Sequence, residues 1–147
     1  LECNNATKIG NMVLFSNNRL RNINIPNVKT IGHLFNFSNK VLEKLNALNV
    51  EIFGHNCLAY NEELLVANFP NLTGVGICFL HLNKKLIIMN CPNLKETAGN
   101  FVTNAKSLIL INCPNLKDDI INKIVHNNPN AEIILNNKSP KIKIKKI

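Results

Sequence analysis

Apolar residues recur along the chain with a period of 22 residues, at several positions of the repeating unit at once. If Leu20 is counted as position 0 of the unit, positions 0, 3, 5 and 8 are apolar in five successive units. Position 0 is leucine throughout, as Leu20, Leu42, Leu64, Leu86 and Leu108. One unit of this length cannot bury its own apolar face and has to stack on its neighbours, so the repeat predicts a solenoid.

Asparagine repeats as strictly as the apolar residues do. Position 4 is Asn24, Asn46, Asn68, Asn90 and Asn112. Position 7 is Asn27, Asn49, Asn71, Asn93 and Asn115, preceded by proline in every unit except the one with Leu48. We predict that the position-7 asparagines point inward, where their amides satisfy backbone groups of the turn and the matching asparagine of the next coil.

Apolar residues at positions 0, 3 and 5 fit one short strand per unit, with strands of successive units stacked in a parallel sheet. The expected strands are residues 22–25, 44–47, 66–69, 88–91 and 110–113. The glycines at position 12, Gly32, Gly54 and Gly76, are expected to permit a tight turn. The fold class predicted is an α/β right-handed solenoid, with the sheet on its concave face and short helical or irregular segments on its convex face.

The repeat changes character after Leu108. Asp118 and Asp119 are followed by apolar residues at three- and four-residue steps, which predicts an amphipathic helix that ends before Asn127. Residues 131–135 are expected to form a last strand, with Ile133 and Leu135 facing one way. We therefore predict one domain over residues 1–137 that begins inside a repeat, a terminal cap over about 114–137, and a basic tail over 138–147.

The net charge of +8 is concentrated at the C-terminal end, where five lysines lie between Lys138 and Lys146. The rest of the chain is nearly balanced and the tail lacks interleaved aromatic residues, so a nucleic-acid partner is not expected. The five cysteines are odd in number and show no paired spacing, which favours reduced, buried thiols. The chain contains no apolar run long enough to predict a transmembrane segment.

Residues at positions 1, 2 and 4 are expected to point away from the core, onto the concave surface. Positions 1 and 2 are polar in the early units, as Arg21 with Asn22 and Glu43 with Lys44. They become apolar in the next three units, as Leu65 with Val66, Ile87 with Ile88, and Ile109 with Leu110. Contiguous exposed apolar residues usually mark an interaction surface, although a tail or another domain could also cover them.

Catalytic and metal chemistry is not expected from the residue pattern. His33 and His55 share position 13 of neighbouring coils, where they could hold a metal or serve as turn residues. No established ligand spacing accompanies them, so we predict no metal site and no cofactor. Phosphate-binding glycine loops and zinc-protease motifs are also absent from the sequence, and the chain is expected not to be an enzyme.

The unit resembles the leucine-rich repeat superfamily, and within it the BspA-like class, whose units read L-x-x-I-x-[IL]-P-x-x-[LV]-x-x-I-G-x-x-x-F. Residues 20–35 match this pattern with one residue fewer between the proline and the Ile-Gly pair, and the resemblance covers about residues 1–117. It implies ligand binding on a curved sheet. It also favours a cell-surface or secreted location, against which the reduced cysteines argue, so the compartment stays open.

The leading hypothesis is a protein-binding module whose site is the concave sheet. The site residues are the six apolar side chains and the asparagines beside them: Leu65, Val66, Asn68, Ile87, Ile88, Asn90, Ile109, Leu110 and Asn112. The alternatives are a homodimer formed through the same face and an adhesive structural segment of a larger surface or host-directed protein.

Overall fold

A computed structural model describes residues 1–106 and 109–135 of the chain, with the side chains of Ile109 and Leu110 left out. The backbone winds into a parallel-strand β-solenoid of about six turns with one helix near its C-terminal end. The strands are β1 (Lys8–Ile9), β2 (Asn22–Asn24), β3 (Thr30–Ile31), β4 (Lys44–Asn46), β5 (Ile52–Phe53), β6 (Val66–Asn68), β7 (Gly74–Val75), β8 (Ile88–Asn90), β9 (Glu96–Thr97), β10 (Ile109–Asn112) and β11 (Ile133–Leu135). The helix is α1 (Asp118–Asn127), between β10 and β11.

The first side of the solenoid, called here the first sheet, contains the strands that the sequence predicts. Strands β2, β4, β6, β8 and β10 lie within two residues of the expected spans, and all their recorded pairings are parallel. The pairing is interrupted between β4 and β6, which divides this side into a two-stranded sheet and a four-stranded sheet, β6-β8-β10-β11. The predicted parallel strands are therefore confirmed, but as two sheets. The handedness of the coil remains a prediction.

The second side of the solenoid also contains strands, so the prediction of a single strand per unit is wrong. Strands β1, β3, β5, β7 and β9 form a continuous five-stranded parallel sheet, the second sheet, at positions 10 and 11 of the unit. Each strand has only two residues, and position 11 points inward as Ile31 and Phe53. Helical or irregular segments were expected here. A parallel ladder is favoured because coils that already stack in register bring these backbone groups together as well.

The third side, positions 12 to 19, is built from residues whose backbone alternates into the left-handed region. Leu34, Asn36 and Ser38 have φ of 59°, 48° and 58°, and the same positions are left-handed in the other described coils. Hydrogen bonds between coils run along this side, such as Leu34 N–H to the His55 carbonyl at 2.8 Å. These bonds hold non-glycine residues in a conformation that side chains normally disfavour.

The glycines of position 12 are required for a different reason than the one expected. No glycine in the described chain has a positive φ, so a tight turn does not explain them. A Cβ on Gly54 would lie 2.7 Å from the carbonyl carbon of Gly32, and one on Gly76 would lie 2.7 Å from that of Gly54. Successive coils approach so closely at this corner that a side-chain carbon does not fit.

The inward asparagine column lies at a different position from the one predicted. The position-7 asparagines are exposed, so the prediction that they point inward is wrong. They do satisfy turn backbone groups, because each donates to a carbonyl of the preceding coil, as Asn93 Nδ2 does to Pro70 O at 2.8 Å. The buried column is at position 19, as Asn39, Asn61 and Asn83. A proline-led turn keeps position 7 at the surface.

Position 19 forms a hydrogen-bond network inside the solenoid. The Asn61 amide donates to the carbonyls of Asn36 and Ala59 and accepts from Asn36 Nδ2 at 2.6 Å. Asn83 continues the column by accepting the Asn61 backbone N–H and donating to Leu58 O. Every bond either closes a turn or joins two coils, so this network fixes the corner of each coil.

The predicted terminal helix and strand are confirmed. Helix α1 buries Ile120, Ile121 and Ile124 and carries the two predicted aspartates in its first turn. It ends at Asn127, slightly later than expected. Asn128 then takes the role of a position-19 asparagine, since its amide oxygen accepts the Ala105 N–H and its nitrogen donates to Val102 O. The predicted tail, residues 138–147, lies outside the described residues.

Candidate functional site

Three of the predicted apolar residues, Leu65, Val66 and Ile87, are exposed on the outward face of the four-stranded sheet, which we call the first-sheet face. Leu65 and Val66 each retain 44% of their exposure and Ile87 retains 38%, whereas Ile88 is half-buried. The side chains of Ile109 and Leu110 lie outside the described part of the structure. These three exposed side chains are large, apolar and close together, which is the property that distinguishes a patch from a single exposed apolar residue.

Strand register brings the residues of position 2 into one row, and Leu65 and Ile87 directly precede two members of that row in the chain. Val66 pairs with Ile88, Ile88 pairs with Leu110, and Leu110 pairs with Ile134 of the terminal strand. Ile134 is 41% exposed and extends the row to the edge of the sheet. Sequence reasoning missed Ile134, although a signal existed: in a strand where Ile133 and Leu135 face inward, the residue between them faces outward.

An amide ladder runs beside the apolar row. Asn90 Nδ2 donates to Asn68 Oδ1 at 2.7 Å, and Asn112 Nδ2 donates to Asn90 Oδ1 at 2.6 Å. The predicted polar column is thus a chain of hydrogen bonds across β6, β8 and β10. Because the amides already bind one another, they present a polar border to a partner at small desolvation cost.

Ion pairs between neighbouring coils border the other edge of the row. Lys84 Nζ lies 2.9 Å from Glu62 Oε2, and Lys85 Nζ lies 2.7 Å from Glu63 Oε2. The hydrogen bond from Lys84 lowers the pKa of the Glu62 carboxyl below its usual value. The apolar row therefore lies between an amide ladder and charged side chains, the arrangement of an interface core inside a polar rim.

The neighbouring two-stranded sheet shows what this face looks like without the apolar residues. Arg21, Asn22, Glu43 and Lys44 are all exposed there, and Arg21 forms an ion pair with Glu43. The change from polar to apolar coincides with the interruption between β4 and β6. Only the four-stranded part thus presents an apolar outward surface.

The stacked histidines hold backbone groups, in a geometry that does not suit a shared metal. The rings of His33 and His55 are 4.8 Å apart and nearly parallel. His33 Nδ1 accepts the His55 N–H at 2.9 Å, and His55 Nδ1 accepts the Ile77 N–H at 3.0 Å. Asn11 Oδ1 accepts the His33 N–H in the same way. Parallel rings direct their lone pairs side by side, and no cluster of three metal-ligating residues occurs in the part of the chain that the structure describes.

Comparison of the chain with known protein families, with curated proteins and with solved structures found no match. The architecture itself defines the protein as a parallel-strand β-solenoid repeat protein. Within the described residues, no helix has the length and apolar character needed to cross a membrane.

Proposed function

We propose that this chain is a leucine-rich-repeat protein of the BspA-like class that binds a protein partner through the first-sheet face. The support for the class is the unit itself, in which Leu20, Ile23, Ile25, Pro26 and Val28 are followed by the Ile-Gly pair and Phe35. In this proposal the solenoid is right-handed and the first-sheet face is its concave surface. The protein acts by binding and not by catalysis.

The observation that carries the binding function is the exposure of Leu65, Val66 and Ile87 on the first-sheet face, in or directly before strands β6 and β8. Their inward neighbours, Leu64, Ala67 and Leu86, are fully buried and already supply the core. The core is therefore filled by other residues, while the outward apolar residues expose apolar area that a partner would remove from water. Each such side chain contributes about 1 kcal/mol or more when it is covered.

The second candidate is self-association through the same face, and the regularity of the apolar row supports it. Two copies related by a two-fold axis would place one row against the other, which gives the isologous contact of most homodimers. In the remaining alternative, a structural or adhesive segment of a larger surface or host-directed protein, the repeats would serve mainly as a spacer.

The test compares two aspartate variants on the first-sheet face with a control variant on the two-stranded sheet, whose outward residues are polar. Val66→Asp places a charge in the row and Ile87→Asp places one beside it. Asn22→Asp makes the same change of charge at the position of β2 that corresponds to Val66 in β6. All three side chains are exposed, so each variant is expected to unfold within about 1 kcal/mol of the wild type. Ile88 is half-buried and is less suited, because a charge there would be partly desolvated.

Peptides selected by the wild-type protein from a displayed random library serve as the binding probe, and light scattering reports the oligomeric state. The proposal expects Val66→Asp and Ile87→Asp to lose at least tenfold in peptide affinity while Asn22→Asp retains it. Loss of a dimer in the same two variants would select self-association. Peptides that bind both aspartate variants as tightly as the wild type would refute the first-sheet face as the site.

A further inference from the structure

Two buried cysteines lie directly above one another in the last coils. Position 5 is Ile25, Ala47 and Phe69 in earlier units but Cys91 and Cys113 in the last two. Both side chains are buried, with 0% and 4% of their exposure left. Asn90 pairs with Asn112, and Cys91 N–H donates to Asn112 O at 3.1 Å, so the two cysteines follow a paired position in register.

The register places the two residues within range of a covalent bond. Neighbouring strands lie about 4.8 Å apart, and disulfides join residues whose Cα atoms are about 4.4–6.8 Å apart. The neighbouring Cys113 thiol, together with burial, raises the pKa of Cys91 well above its usual value, as expected for two thiols that face each other in the core. Closing the bond requires side-chain rotation and a small approach of the strands.

We propose that Cys91 and Cys113 are an oxidation site that forms a disulfide between adjacent coils when the protein meets a small disulfide oxidant. One thiol, as its thiolate, attacks the oxidant's disulfide and releases one reduced thiol. The second cysteine attacks the protein sulfur of this mixed disulfide and releases the other. The protein loses two hydrogens and two electrons, and the oxidant gains them as two thiols.

Burial makes this reaction a slow one. The raised pKa leaves little thiolate at neutral pH, and the oxidant reaches the sulfurs only when the terminal coils open. The pair therefore acts as a lasting crosslink formed in an oxidising compartment, and not as a rapid sensor. The bond would join the strands at the centre of the four-stranded sheet and restrict the unfolded chain by closing a loop across one repeat.

The remaining cysteines supply controls. Cys57 lies on the third side, where its thiol donates to Gly32 O at 2.9 Å. Cys3 shares position 5 but belongs to the opposite end of the solenoid. Replacing Cys57 with serine removes one thiol and leaves the Cys91 and Cys113 pair intact.

The native full chain is incubated with 2-hydroxyethyl disulfide at mildly alkaline pH, alkylated in denaturant and mapped by mass spectrometry. The expected result is one disulfide between Cys91 and Cys113, a mass lower by two hydrogens, and a Tm raised by roughly 5–10 °C that returns with reductant. Cys57→Ser should behave like the wild type, and Cys91→Ser and Cys113→Ser should not form the bond. Five alkylated thiols after prolonged oxidation, a bond between other cysteines, or an unchanged or lower Tm would overturn the proposal.

Discussion

Replacing Gly54 with alanine tests whether the close approach of coils at position 12 determines stability. The added Cβ would lie 2.7 Å from the Gly32 carbonyl carbon and 2.8 Å from its oxygen. Carbon atoms in contact prefer about 3.5 Å, so the overlap is about 0.8 Å. The same Cβ would lie 2.7 Å from His33 Nδ1, the atom that accepts the His55 N–H. Rotation of the His33 ring does not relieve the overlap with the two backbone atoms, so the two coils have to separate at this corner.

Separation by that distance stretches the hydrogen bonds that join the two coils there. Gly54 N–H donates to Ile31 O at 2.9 Å, His55 N–H to His33 Nδ1 at 2.9 Å, and Leu34 N–H to His55 O at 2.8 Å. Each such bond contributes about 1 kcal/mol, and overpacking adds a similar amount. We expect Gly54→Ala to lower the free energy of unfolding by about 2–4 kcal/mol.

The matched control is Gly74→Ala. Gly74 lies in strand β7 of the second sheet, where a Cβ meets no atom within 4 Å and the φ of the residue is not positive. This variant should be neutral or more stable by about 0.5 kcal/mol, since alanine reduces the entropy of the unfolded chain. Urea unfolding of both variants measures the difference. Equal stability of Gly54→Ala and Gly74→Ala would refute the steric argument.

The chain contains one natural test of this argument at Ala98, which occupies position 12 where the earlier units have glycine. The third-side bond next to it, from Cys78 N–H to Gly99 O, is 3.3 Å long. The equivalent bonds of the earlier coils, which have glycine, are 2.7–2.8 Å long. The coils are thus farther apart at the one described corner where a Cβ is present.

Two further predictions concern buried polar groups. Asn61→Ala should lower the free energy of unfolding by about 2–4 kcal/mol, because it leaves three buried hydrogen-bonding groups without a partner. Asn93→Ala should lower it by only about 0.5–1 kcal/mol, because the Asn93 amide makes one exposed hydrogen bond. Equal losses of stability in urea unfolding would contradict this difference between the two asparagine columns. Burial raises the pKa of the Cys57 thiol from 9.0 to about 11. Because the folded-state pKa of Cys57 lies above the unfolded value, the contribution of this thiol to the free energy of unfolding is fully present below about pH 9. The contribution is lost as the pH rises towards 11, at up to about 1.4 kcal/mol per pH unit. Stability measured across this range should fall less steeply for Cys57→Ser, and an unchanged slope would contradict the assignment.

The first sheet and the helix could be predicted because the order of their apolar and polar residues follows the period of a strand or of a helix. Inward and outward positions alternate in β6 and β8, and Ile120 and Ile124 lie one helical turn apart. The second sheet could not be predicted, because a two-residue strand such as Thr30–Ile31 has a single inward residue and hence no period. The left-handed backbone of the third side could not be predicted either, because Leu34 and Ser38 are not residues that favour this conformation.

The choice of asparagine column shows where repeat analysis stops. Asn17, Asn39, Asn61 and Asn83 recur at the same spacing as the position-7 residues, so the buried column was visible in the sequence. Spacing alone does not say which column faces inward. For the candidate site, the outward direction of Val66 and of Ile134 follows from alternation with their inward neighbours. The place of Ile134 in the apolar row required the register of β11 on β10, which is a property of the folded chain.

The hydrogen bonds and ion pairs between coils join residues about one repeat apart, as Lys85 with Glu63 and Asn112 with Asn90 do. The residues in contact are therefore separated by nearly the same number of positions throughout the molecule, and the same kinds of contact can form in a solenoid with more or fewer coils. Insertion or loss of a whole 22-residue unit changes the length of the solenoid without requiring a new kind of contact. A single inserted residue, by contrast, would displace every later side chain from its column. Genetic change in such a chain is tolerated in steps of one coil, and the extent of the apolar row on the first-sheet face can grow or shrink by the same step.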